Sequence, residues 1–215
     1  MDFLSRFKYI VNKNIVLQTI YEKSKAFVRI VPFYVIEESA DIRDVSNIGL
    51  KMNANELSVM LLGPSDMRQI SETPGVKDTE EALIERLNNR WICLGLKHRG
   101  NVAAHMWCNL MACDSKLLSF RLNHGEAYLT DARTLEEYRG KGLAPYLRVQ
   151  FYKHLRNIGY YKLYSITEYF NEAAMNFKRK LGARPISLYV HVCLLKRYMF
   201  CILLRRYNNR SSNMA

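Results

Sequence analysis

The chain has 215 residues, 49% hydrophobic and 24% charged, with ten glycines and five prolines, a profile that excludes a disordered or fibrous chain and fits one well-cored domain with an extension. Its formal charge of +12 is uneven: residues 1–55 carry +2, residues 56–138 carry −3, and residues 139–215 carry +13, where fifteen Lys and Arg face only Glu168 and Glu172. Such a basic half attracts phosphate, whether on a small molecule, a nucleic acid or an anionic membrane, and charge alone does not choose among them.

Residues 3–28 space Phe3, Phe7, Ile10, Leu17 and Tyr21 at helical intervals among Arg6, Lys8, Lys13 and Lys23, which predicts one or two amphipathic basic helices. FVRIVPFYVI (27–36) is apolar and β-branched, but Pro32 argues against a central strand. Residues 1–55 therefore read as an extension to a domain over 56–207, with 208–215 as a tail. Within the domain, ELSVMLLG predicts a strand ended by Gly63 and Pro64, and Ser65 is the expected cap of a short helix. DTEEALIERLNN (78–89) predicts a second helix capped by Asp78. WICLGLK, HRGN and VAAHMWCNL predict a hairpin, and GEAYLTDART (125–134) a further strand. A helix over about 142–158, a strand KLYSIT (162–167), a helix over 171–182 and two strands either side of 195–197 complete the order β α α β β β α β α β β.

The five cysteines, Cys93, Cys108, Cys113, Cys193 and Cys201, form no CxxC pair, so neither a disulfide framework nor a zinc site is expected, and no metal is assigned. The N-terminus lacks the pattern of a signal peptide, and the most apolar stretch, SLYVHVCLLKRYMFCILL (187–204), is broken by Lys196 and Arg197, so a cytoplasmic address is expected.

The strand over 125–134 runs into a helix through Arg139-Gly140-Lys141-Gly142. A turn with little Cβ bulk exposes successive N–H groups at the positive end of a helix and suits a pyrophosphate, although a merely tight turn would use the same glycines. It is not a P-loop, because Leu143 and Ala144 follow Gly142, nor a dinucleotide fingerprint, because Pro145 stands where a third glycine belongs. EYRGKGLAPYL resembles motif A of the GNAT superfamily of acyl-CoA-dependent N-acetyltransferases, with Glu137 where Gln or Arg is usual. NEAAMNFKRKLGA resembles motif B through Asn171, Ala174, Phe177, Lys180 and Gly182.

The resemblance covers about residues 56–207 and implies an α+β fold: a mixed, mostly antiparallel, splayed sheet flanked by helices. It implies acetyl-CoA as cosubstrate, with the N–H groups of Tyr138, Arg139, Gly140, Lys141, Gly142 and Leu143 on its pyrophosphate. Thr134 and Leu135 would pair their main chain with the pantetheine and polarise the thioester carbonyl, and Asn171 would meet the pantetheine arm or simply cap its helix. Glu126, thirteen residues before Arg139, has a spacing that resembles the general-base glutamate of histone-acetylating members. A partly dry cleft would raise its pKa, and a solvent-facing strand residue is the alternative. Asp131, of opposite parity on a regular strand, is the reserve. The usual motif B tyrosine is Lys178 here, read as a surface charge or phosphate contact, with Tyr164 and Tyr169 as substitute acids.

Transfer of acetyl to a primary amine by direct attack in a ternary complex is the expected function, with a small amine or amino sugar favoured over a protein amine. The alternative is a catalytically silent CoA-binding or membrane-surface module, whose support is the basic N-terminus and the segment KRYMFCILLRRYNNR. Assignment of 188–204 to the last two strands is preferred over a lipid-binding segment. A homodimer is implied by analogy only, and nucleic acid is disfavoured because no reading motif accompanies the charge.

Overall fold

The computed structural model describes residues 28–40, 49–195 and 197–207. The helices expected over 3–28 lie outside these residues except for Val28, which opens a strand; the tail lies outside them as well. The elements in chain order are β1 (Val28–Ser39), β2 (Leu57–Leu61), α1 (Pro64–Ser71), α2 (Glu80–Asn88), β3 (Trp91–His98), β4 (Asn101–Asn109), β5 (Ala112–Asp114), β6 (Ser119–Arg121), β7 (Glu126–Thr134), α3 (Leu143–Asn157), β8 (Lys162–Glu168), α4 (Glu172–Lys180), β9 (Arg184–Leu194) and β10 (Tyr198–Arg206). Eight strands form one sheet in the order β10-β9-β1-β8-β7-β4-β3-β2, and β5 and β6 make a separate hairpin. Neighbours pair antiparallel throughout the large sheet except β7 and β8, which pair parallel.

Strand alternation, interrupted by a bulge at Ala103 that puts Val102 on the same face as Trp107, sends side chains of β4 to two cores. Ala104, Met106 and Cys108 meet Leu143, Leu147, Phe151 and Leu155 of α3, whereas Val102 and Trp107 meet Met67 and Ile70 of α1 and Leu83 of α2. Each fully buried Leu or Phe in these layers contributes roughly 1.5–3 kcal/mol. Tyr128 of β7 and Tyr164 of β8 face the α1–α2 side and lie under the β5–β6 hairpin with Phe33, Val35 and Cys113. Two caps differ from expectation. Pro64 opens α1, so the cap is Gly63, whose N–H donates to Asp66 (3.0 Å); Thr79 caps α2, because Asp78 is engaged by Arg86 at 2.9 Å.

The main departure is β1, which lies inside the sheet between β8 and β9 despite Pro32. Pro32 pairs with Val190 of β9, and its carbonyl accepts from the N–H of Tyr169, just past the end of β8. A strand residue turns its N and its C=O to the same neighbour, so the missing N–H falls beyond the β8 ladder, which begins at Phe33 opposite Glu168. Residues 28–39 of the expected helical extension are thus a sheet strand.

Candidate active site

β7 and β8 pair only through Glu126 with Lys162, Ala127 with Leu163, and Tyr128 with Tyr164. Both strands continue without further pairs, which leaves a gap that opens toward their C-terminal ends. On the other side of β7, Trp107 pairs with Thr130 and His105 with Arg133, so Asp131 and Ala132 together oppose Met106. This is a β-bulge, and Asp131 takes φ 46° in it, a left-handed conformation that costs a non-glycine residue of order 1–3 kcal/mol. The N–H of Leu135 donates to Ala103 (3.0 Å) and its C=O accepts from Tyr138 (2.9 Å). The N–H of Leu135 is therefore not free to polarise a thioester carbonyl or pair with a pantetheine. Alternation along the strand directs the main chain of Thr134 away from β4, into the gap.

The turn after β7 is a short 3-10 segment, Glu136–Tyr138, followed by extended Arg139 and by Gly140 and Gly142 at φ 73° and 79°. Among the described residues, no acceptor occupies the N–H groups of Gly140, Lys141, Gly142, Leu143 or Ala144. Five donors thus surround the N-terminus of α3, next to the exposed side chain of Arg139. A cavity of about 270 Å³ adjoins this turn, lined by Thr73, Pro74, Arg133, Thr134, Leu135 and Arg139. The two glycines differ in purpose. A Cβ on Gly140 would meet open space, whereas one on Gly142 would overlap the carbonyl of Gly49. Residues 49–51 run across the turn there, and the N–H of Lys51 donates to the C=O of Lys141 (3.0 Å).

On the α1–α2 face of the gap lies a cavity of about 350 Å³, walled by Asp78 and Arg86, by Trp91, by Asp114 and Lys116 of the β5–β6 hairpin, and by Tyr128, Thr130, Asp131 and Arg133 of β7. Arg86 holds Asp131 at 2.7 Å and Asp78 at 2.9 Å, and its guanidinium stacks on Trp91 and Trp107. His105, buried on β4, has an Nδ1 without a partner among the described residues; burial and then Arg133 lower its pKa to about 4, so the ring is neutral at pH 7.

Glu126 stands at the closed end of the gap and lines none of these cavities. It is 9% exposed, and its carboxylate accepts from the N–H (2.9 Å) and side chain (3.0 Å) of Asn123 and from the hydroxyl of Tyr164 (3.0 Å), with Lys162 at 3.2 Å. Burial alone would raise its pKa, but the Asn123, Lys162 and Tyr164 donors outweigh burial and hold it below the ordinary value. The expected upward shift is therefore absent. Asn171 caps α4, accepting from Ala174 at 3.1 Å.

Lys178 is not a surface charge. It is 6% exposed, and its ammonium donates to Ser165 (2.8 Å) and Thr167 (2.6 Å) of β8, with Glu38 at 4.0 Å. Glu38, from β1, is fully enclosed: Arg148 of α3 grips it through Nε (2.9 Å) and Nη2 (2.5 Å), and Tyr152 and Ser165 donate their hydroxyls to it. Burial pushes the Glu38 pKa up, but Arg148, Lys178 and the hydrogen bonds overcome it and hold the group at about 2. Burial and the Arg148 charge bring Lys178 down to about 7, with Glu38 opposing them. Continuing the β7–β8 register sets Thr167, to which Lys178 donates, level with Asp131 and on the sheet face opposite the cavity walled by Arg86 and Asp131.

The profile of the Acetyltransferase (GNAT) family matches residues 64–183, more than half of the chain. The chain belongs to the GNAT acetyltransferase family. A GNAT-family acetyltransferase from Colwellia psychrerythraea aligns over 81% of this chain and 57% of its own, at 17% identity and TM-score 0.53. A GCN5-related N-acetyltransferase-like protein from Streptococcus suis aligns over 81% and 66%, at 15% identity and TM-score 0.56. A tandem GNAT protein from the clavulanic acid biosynthesis pathway aligns over 89% and 59%, at 13% identity and TM-score 0.56. At these identities the likeness is one of fold, and the chain spans roughly six tenths of the length of such structures. A search of curated proteins finds no match. The mixed, mostly antiparallel splayed sheet flanked by helices is the GNAT fold expected from the two motifs. Among the described residues no group of three metal-ligating side chains occurs, and no helix is long and apolar enough to cross a membrane.

The buried Glu38–Arg148–Lys178 cluster escaped sequence reasoning. A faint signal existed for Lys178, which lies three residues after buried Met175 and so shares its helix face; Glu38 offered none, because its partner is 110 residues away.

Proposed function

We propose that the chain moves an acetyl group from acetyl-CoA to a small primary amine by direct attack in a ternary complex. The observation that carries this reading is the gap between β7 and β8, with a donor-rich turn at its mouth and a separate cavity on its far face. The cosubstrate's pyrophosphate would rest on the N–H groups of Gly140 to Leu143 beside Arg139, and its pantetheine amides would pair with Thr134. Acetyl-CoA supplies the activated acyl carbon.

The amine would approach from the cavity walled by Arg86 and Asp131. Asp131 is the better candidate to orient the amine and take its proton, directly or through water, because it sits at the bulge and lines the cavity. Glu126 serves as a clamp between β7 and β8. Lys178, brought to about 7 by burial and the Arg148 charge, would protonate the departing thiolate.

Calorimetric titration with acetyl-CoA and CoA, followed by thiol release across a panel of primary amines, tests the proposal. Saturable binding weakened by Arg139→Glu, with turnover of at least one amine, is expected. An intact protein that binds neither acetyl-CoA nor CoA refutes it.

A further inference from the structure

β10 forms the free edge of the eight-stranded sheet, and all nine of its residues are exposed. Tyr198, Phe200, Ile202 and Leu204 alternate with Met199, Cys201 and Leu203, so apolar side chains project from both faces of the edge. Met199 is 65% and Phe200 51% exposed, and Val28, Ile30 and Leu195 extend the patch across the adjoining strand ends. β1 starts beside this tip, with Val28 opposite Leu194 and Leu194 opposite Tyr198. Runs of this kind are avoided on an isolated soluble surface because they invite association.

Charge identifies the occupant. Residues 28–36 and 185–207 contain no Asp or Glu but carry Arg29, Lys196, Arg197, Arg205 and Arg206. Arg29, Arg197, Arg205 and Arg206 are all exposed. A second copy of this edge would bring two uncompensated cationic surfaces together, and a helix or strand docked on one face would leave the other bare. A bilayer interface surrounds a protruding edge on both sides, accepts aromatic and aliphatic side chains at headgroup depth, and attracts arginine when its lipids are anionic. The unpaired N–H and C=O groups of β10 limit insertion to that hydrated zone, since the hydrocarbon core could not satisfy them.

We infer that the β9–β10 edge and the start of β1 form a docking surface for an anionic lipid bilayer, which holds this GNAT domain at a membrane surface. The inference is independent of acetyl transfer and is read without any turnover assay.

The test is co-sedimentation of the full chain with vesicles of pure phosphatidylcholine and of phosphatidylcholine with 30% phosphatidylglycerol, in roughly 0.1 M salt. The double variant Met199→Glu, Phe200→Glu is compared, with circular dichroism to verify that it folds. Binding to the anionic vesicles alone, lost in the variant, is expected. Each basic residue near an anionic leaflet is worth roughly fivefold in partitioning, so Arg205→Gln with Arg206→Gln lowers binding by roughly twenty- to thirtyfold. Absence of vesicle binding overturns the inference, as does binding that survives the folded double variant, which would locate it elsewhere on the chain. Concentration-dependent dimerisation abolished by the variant, without lipid binding, would assign the edge to a second copy instead.

Discussion

Replacement of Glu38 by Gln tests whether the buried cluster holds the GNAT fold together as an ionic unit. The side chain keeps its shape but loses its charge and offers one carbonyl oxygen to Arg148 Nε and Nη2, Tyr152 and Ser165. Arg148, 2% exposed, would then be a buried cation without its partner. Breaking a buried pair by removing one member costs about 3–5 kcal/mol. Linkage gives a similar size: a group held at about 2 against an ordinary 4.5 is worth roughly 3 kcal/mol at pH 7. Because the folded pKa is depressed, this stability is present above about pH 4.5 and fades as pH falls toward 2. Thermal unfolding at pH 7 should fall by roughly 6–20 °C for a chain of this size. Urea unfolding at pH 3 should show a difference of less than half that at pH 7 between the two proteins. A loss under about 3 °C at pH 7, or an equal loss at both pH values, would refute the ionic account. The double variant Glu38→Met, Arg148→Met separates charge from packing and should recover much of the loss.

Lys178→Met removes an ammonium whose folded pKa, about 7, lies below the ordinary 10.5. The wild type should therefore gain stability between about pH 7 and 10, by up to roughly 1.4 kcal/mol per pH unit, while the variant lacks that slope; urea midpoints at pH 7 and 9 measure this. In turnover, the same variant should lose more with acetyl-CoA than with an acetyl thioester of a more acidic thiol, and equal losses would remove Lys178 as proton donor. Arg139→Glu should weaken CoA binding by about tenfold in calorimetry without moving the melting temperature, because its side chain is exposed. Gly142→Ala should destabilise more than Gly140→Ala, since both pay a positive-φ penalty but only the former meets the Gly49 carbonyl. Asp131→Asn should lower kcat/KM with little effect on CoA affinity, whereas Glu126→Gln should chiefly lower stability, by about 1–3 kcal/mol; the reverse pattern would restore Glu126 as the base.

The parts of the fold legible in the sequence were those with local chemistry. The glycines of the α3 turn, Asn171 before α4, and the HRGN turn between the apolar runs of β3 and β4 report their own neighbourhoods, and each lies where its pattern placed it. The β5–β6 hairpin was missed because three-residue strands such as ACD and SFR contain too few residues to show a period. The bulge at Asp131 was missed for a related reason: the parity that separated Asp131 from Glu126 holds only while a strand is regular, and a bulge cancels it. The burial of Lys178 was hidden by its charge, since an isolated lysine on a polar helix reads as solvated until a carboxylate elsewhere is known to balance the cluster.

That carboxylate bears on where the domain begins. β1 closes the sheet between β8 and β9, and its Glu38 offsets cations contributed by α3 and α4. A boundary between residues 55 and 56 would leave two open strand edges and a buried arginine without its anion, and no rearrangement of α3 could hydrate Arg148 without opening the core around Tyr152. We therefore propose residues 28–207 as the folding unit. Within it, the same strand that neutralises Arg148 also brings Glu38 to 4.0 Å from Lys178, where its charge opposes the burial and the Arg148 guanidinium that lower the lysine, so one side chain that no motif announces bears on both cations.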